Sequence, residues 1–177
     1  LAILHTIQHQ IGHNLGYTHS NEGGIAYDDQ VSIEHDGLQN GYDDFPVMCF
    51  NATKSWQTKW YSLKSIVVVD PSMADCFEKN VYGITDYGST ASSKVLVKMM
   101  IIGHDGLLRC INRQVGINSD TQEAGNQVTV VIGAGGKGQG KQHTESDLVV
   151  KLSGGGSWSG VVDGKNIFVR VLSINTS

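Results

Sequence analysis

The apolar residues at the start of the chain, Leu1, Ile3, Leu4, Ile7, Ile11 and Leu15, recur at helical spacing. His5, His9 and His13 fall on the side away from them, four positions apart. The pattern predicts an amphipathic helix from Leu1 to about Leu15, with an apolar face for the core and a polar face free for chemistry. Residues 20 to 45 break the periodicity. They are acidic and rich in turn pairs, Gly23-Gly24, Asp28-Asp29, Asp36-Gly37, Asn40-Gly41 and Asp43-Asp44, and read as a loop. Their carboxylates lack the alternation with Gly and the closing Glu of a calcium loop, which favours a solvated stretch. A second helix is expected over Ala52 to Ser62, with Trp56 and Trp60 on one face.

Past Ser65 the helical period gives way to β-branched runs: Ile66 to Val69, Lys94 to Ile102, Gly106 to Asn112, Gln127 to Ile132, Asp147 to Leu152 and Asn166 to Ile174. The Gly and Asn turns between them predict an antiparallel sandwich or barrel-like module. The expected class is therefore α+β, with a helical lobe over residues 1–65 and a β-rich domain over residues 66–177. A chain of 177 residues, 40% of them hydrophobic, holds one ordinary domain or a truncated one plus a small second one. The change of pattern near Ser65 favours the latter.

A net charge of −4 and a pI near 5.9 give no basic patch to displace counterions from phosphates, so nucleic acid is not the expected partner. No stretch is long and apolar enough to span a membrane. Cys49, Cys76 and Cys110 are too few for a disulfide framework, and their odd number leaves one unpaired. The sequons Asn51-Ala52-Thr53 and Asn175-Thr176-Ser177 permit glycosylation of a secreted chain.

The chemistry concentrates in His9 to Ser20, HQIGHNLGYTHS. His9 and His13 project from one face of a helix about one turn apart, close enough to share a tetrahedral ion. Gly16 frees the chain to turn with positive φ, which lets His19 return as a third ligand. With 7 His and 22 Gly in the chain, three His and one Gly at these offsets arise by chance roughly 8 times in a million starting positions. Chance is thus a poor account, and His9, His13 and His19 are the expected zinc ligands. No Gly and third His follow the His5 register, so His5 reads as a structural or supporting residue. A second glycine motif, Gly133-Ala134-Gly135-Gly136-Lys137-Gly138, formally matches a nucleotide-binding loop. It lacks the Ser or Thr and the following helix, and reads as a hairpin loop.

The pattern H-x-x-x-H-x-x-G-x-x-H resembles the long zinc motif of the metzincin metallopeptidases. The stretch Val47-Met48-Cys49-Phe50-Asn51-Ala52-Thr53-Lys54-Ser55-Trp56-Gln57 with Trp60-Tyr61 is similar to the gametolysin family of metzincins, the cell-wall-lytic endopeptidases of green algae and relatives. So are the segments Tyr82 to Gly88, Asn112 to Ser119 and Asn126 to Val131. The resemblance implies a zinc metalloendopeptidase acting on protein or peptide substrates outside the cell or in the cell wall. It implies that Met48 forms the turn beneath the zinc, and that Phe50 stands where some metzincins place a ligating Tyr. Position 10 is where that family carries the Glu that takes a proton from the attacking water, and here it is Gln10. The resemblance also places a twisted sheet and a helix ahead of the zinc helix, so the sequence reads as the C-terminal part of such a catalytic domain.

Overall fold

The computed structural model describes residues 2–25, 28–29, 49–57, 61, 66–70, 76–86, 96–99, 106–119, 121, 123–133, 145–162 and 164–176. Helix α1 (Ala2–Asn14) is followed by a short strand, β1 (Ser20–Glu22), and by helix α2 (Ala52–Gln57). Seven further strands follow: β2 (Ile66–Val69), β3 (Leu96–Met99), β4 (Gly106–Asn112), β5 (Gln127–Gly133), β6 (Ser146–Leu152), β7 (Ser157–Val162) and β8 (Lys165–Arg170). Six strands form one sheet in the order β1-β6-β5-β4-β3-β2, and β7-β8 form a separate hairpin.

The middle of the sheet is antiparallel, β3 to β6, as the strand pattern implies. Both edges are parallel, β2 on β3 and β1 on β6. Parallel neighbours need a crossover of a dozen or more residues, and the segment 70–95 between β2 and β3 supplies one. The polar strand β1, SNE, precedes residue 65, and it pairs with β6, beyond it, Ser20 opposite Ser146. Sequence from both sides of the boundary expected at residue 65 thus shares one sheet.

Alternation along the strands divides the sheet into two packed faces. On one, α2 lies across β4 and β5, and Ala52 packs with Ile66, Ile84, Cys110, Val131 and Leu148. On the other, the hairpin covers Val130 and Leu152 with Val162, Ile167, Val169 and Val171. Val130 and Val131 are fully buried on opposite faces, each contributing about 1.5–3 kcal/mol of apolar burial. The strands flanking the glycine-rich loop, β5 and β6, pair antiparallel with Gly133 opposite Ser146. A strand rather than a helix therefore follows that loop, most of which lies outside the described residues.

Helix α1 matches its expected span, but among the described side chains its apolar stripe is exposed. Ile7, Ile11 and Leu15 are 46%, 49% and 43% exposed. Over residues 7–14 only Gly12 is buried. The stripe fixes which residues share a face, while burial depends on an element packing there. The side chains of Ile3, Leu4 and His5 lie outside the described residues.

Candidate metal centre

Helix α1 ends because residue 16 is glycine. Gly16 has φ 88°, the left-handed conformation that a Cβ disfavours. The Gly16 amide donates to the His13 carbonyl at 2.9 Å and the Tyr17 amide to the Gly12 carbonyl at 3.0 Å, the paired bonds of a Schellman stop. The chain then reverses towards the helix and enters β1, where the Ser146 amide donates to the His19 carbonyl at 3.4 Å. Turn and sheet edge together bring His19 back to His9 and His13.

The three imidazoles converge. One ligand nitrogen from each of His9, His13 and His19 lies within 4.8 Å of the others, and all three side chains are half-buried. His13 Nε2 and His19 Nε2 are 3.1 Å apart. The His9 ring stands edge-on to His13, with centroids 4.5 Å apart, and nearly parallel to His19 at 5.5 Å. Nitrogens about 2 Å from a tetrahedral zinc stand about 3.3 Å from one another, so the donor set has the type for such an ion and the His13–His19 pair has its spacing. His13 Nδ1 lies 2.9 Å from the Tyr17 carbonyl oxygen. A carbonyl only accepts, so Nδ1 carries the proton and His13 turns its Nε2 lone pair towards the other two rings. Among the described residues no fourth His, Cys, Asp or Glu joins the group, and three protein ligands leave a coordination position open.

The Tyr17 carbonyl is itself held in place. Tyr17 is 3% exposed. Its ring meets Phe50 edge-on at 5.3 Å between centroids, and the Lys54 ammonium lies 5.8 Å from its centroid, within cation–π range. Phe50, where the resemblance sets a possible ligand, therefore packs beneath the residue that orients His13. Gln10 follows His9 on α1 and is exposed. Met48 lies outside the described residues.

Sequence reasoning missed the polar cluster behind the third ligand. Asn51 caps α2: its Oδ1 accepts from the Lys54 amide at 3.0 Å. Its Nδ2 lies 3.1 Å from Ser20 Oγ, 2.9 Å from Asp29 Oδ2 and 3.0 Å from Ser146 Oγ. The two serine hydroxyls are 3.1 Å apart. These four side chains are buried, and they fasten the residue after His19 to α2 and β6. Asn51 is 4% exposed with its amide engaged, so in the folded chain its sequon is closed to a glycan. An Asn immediately before a helical stretch is a capping signal that the sequon reading obscured.

The three cysteines are free thiols. Burial pushes Cys49 up to about 11 and Cys110 up to about 12, so both stay protonated at neutral pH and neither is poised as a nucleophile or thiolate ligand. Among the described residues no helix is long and apolar enough to cross a membrane. No known protein family, curated protein or solved structure matches this chain.

Proposed function

We propose that this chain acts as a zinc metalloendopeptidase of the gametolysin type, hydrolysing peptide bonds of extracellular or cell-wall proteins, with its chemical step impaired by Gln10. The observation that carries this reading is the convergence of His9, His13 and His19, with no fourth ligand among the described residues and the His13 tautomer fixed by the Tyr17 carbonyl. The three histidines bind as neutral imidazoles. Zinc held there would polarise a peptide carbonyl and bring the pKa of a water molecule to about 7. Gln10 supplies an amide that orients a water or substrate by donating and accepting hydrogen bonds, but it takes no proton at neutral pH.

A second reading is favoured by Gln10 itself: a zinc-binding pseudo-peptidase that recognises protein chains without cutting them. One experiment separates the two. Full-length wild type, Gln10→Glu and His13→Ala are compared for zinc content and for cleavage of a denatured protein substrate. Gln and Glu are nearly isosteric, so zinc content stays near one per chain in Gln10→Glu while cleavage rises roughly 10²- to 10⁴-fold, the contribution of a positioned general base. His13→Ala loses most of its zinc. Bound zinc without cleavage in either wild type or Gln10→Glu selects the binding module, and well-folded wild type without stoichiometric zinc overturns both readings.

A further inference from the structure

The hairpin face of the sheet carries a second feature, independent of the metal centre. Cys110 of β4 faces the α2 side, so its neighbour Arg109, opposite Val130 of β5, faces the hairpin side. A cavity of about 700 Å³ opens there between β4, the segment 77–83 and the chain that follows β8, within the size range of ligand sites. Arg109, Arg113, Arg170 and Lys79 line it against the carboxylates of Glu78 and Asp86.

Arg113 is already engaged. Its Nη1 donates to the Asn175 carbonyl at 2.7 Å and its Nε lies 3.9 Å from Asp86 Oδ2. Gly83 makes room for this, since a Cβ there would sit 2.1 Å from Arg113 Cγ. The Nε atoms of Arg113 and Arg109 are both buried without an acceptor. Arg109 differs in that no hydrogen bond or ion pair to a described residue engages the rest of its guanidinium either. Burial pulls its pKa below the ordinary arginine value, with no opposing charge to offset that. A half-buried guanidinium with its Nε out of solvent and without a counter-ion is costly, and such a group in a native fold points to an absent partner. At the mouth Phe77, Tyr82 and Leu172 are 41%, 45% and 58% exposed, so the walls suit an apolar body.

We propose that this cavity binds a small organic carboxylate with an apolar body, its head group taking the Arg109 guanidinium as counter-ion. The planar fork of an arginine matches a carboxylate through two parallel hydrogen bonds. A bare inorganic anion would leave most of the cavity and its apolar mouth unused.

The test uses the full chain and three probes: 4-phenylbutyrate, its neutral analogue 4-phenylbutanol, and inorganic phosphate, with binding read by calorimetry and by the Arg109 Nε–H resonance. Phenylbutyrate is expected to bind one to one and shift that resonance, with the alcohol and phosphate at least about tenfold weaker. Arg109→Met keeps the aliphatic stem and removes the charge, so phenylbutyrate affinity falls at least about tenfold. The same variant, free of ligand, unfolds at or above the wild-type temperature, because an uncompensated buried charge has gone. Equal binding of acid and alcohol, phosphate binding as tightly as phenylbutyrate, no saturable phenylbutyrate binding, or a lowered unfolding temperature in Arg109→Met each overturns the proposal, the last by making Arg109 a structural residue.

Discussion

Helices α1 and α2 reverse what their sequences imply. The first carries an apolar stripe and leaves Ile7, Ile11 and Leu15 more than two-fifths exposed. The second, ATKSWQ, is largely polar, yet Ala52, Thr53 and Lys54 are fully buried and Ser55 is 3% exposed. The difference lies in what each helix has to hold. α2 spans the two central strands; its cap, Asn51, hydrogen-bonds Ser20 of β1 and Ser146 of β6, and its Lys54 ammonium lies over the Tyr17 ring. α1 presents histidines and is anchored through the turn at Gly16. Buried polarity here is connective tissue between elements, and it tolerates loss less well than an exposed apolar stripe.

The largest effect should come from the α2 cap. Asn51→Ala strips the Lys54 amide of its cap and leaves Asp29, Ser20 and Ser146 without their shared donor. The two serines keep each other as partners, so with about 1 kcal/mol for a cap and about 1–3 kcal/mol for the lost buried amide bonds, stability falls by about 2 kcal/mol or more in urea unfolding. A loss under about 1 kcal/mol would mean that the cluster does not connect the elements.

A smaller effect, of opposite sign, is expected two residues after the cap. Thr53 is fully buried and its Oγ1 has no hydrogen-bond partner among the described residues. Thr53→Val keeps the shape and removes an unsatisfied hydroxyl, so the urea midpoint rises by the equivalent of about 1 kcal/mol. A falling midpoint would show that this hydroxyl is bonded in solution, and that α2 carries one more polar connection.

The smallest effect belongs to α1. Ile11 is 49% exposed, and Ile11→Gln should change stability by no more than about 0.5 kcal/mol. A loss above about 1.5 kcal/mol, measured in the same urea titration, would place Ile11 in a covered interface and remove the contrast between the helices.

Legibility in the sequence followed the same line. β2 and β4 have the bounds that β-branched runs marked, and α1 has its expected span, because local periodicity decides such elements. β1 and β7 went unread: SNE has no apolar alternation, and SWSGVV interleaves Ser and Gly, so tertiary pairing rather than propensity makes them strands. The histidine spacing was legible because a helical turn and one glycine geometrically determine it. The Tyr17 carbonyl that orients His13 is backbone, which residue identity cannot advertise. Arg109 carries no mark in the sequence, and only the fold gives it a half-buried position without a counter-ion among the described residues.

The parallel pairing of β1 with β6 sets an order of events for chain assembly. Ser20 meets Ser146 across 126 residues, so the strand that carries the chain out of His19 has no partner until nearly the whole sequence has been synthesised. Closing so long a loop costs entropy that local helix formation does not. The two helical histidines come together early, whereas the third finds its bearing only when the sheet edge exists. Capture of an ion by all three would therefore report on the finished fold, and its binding energy would be added to the last long-range contact rather than to the first local one.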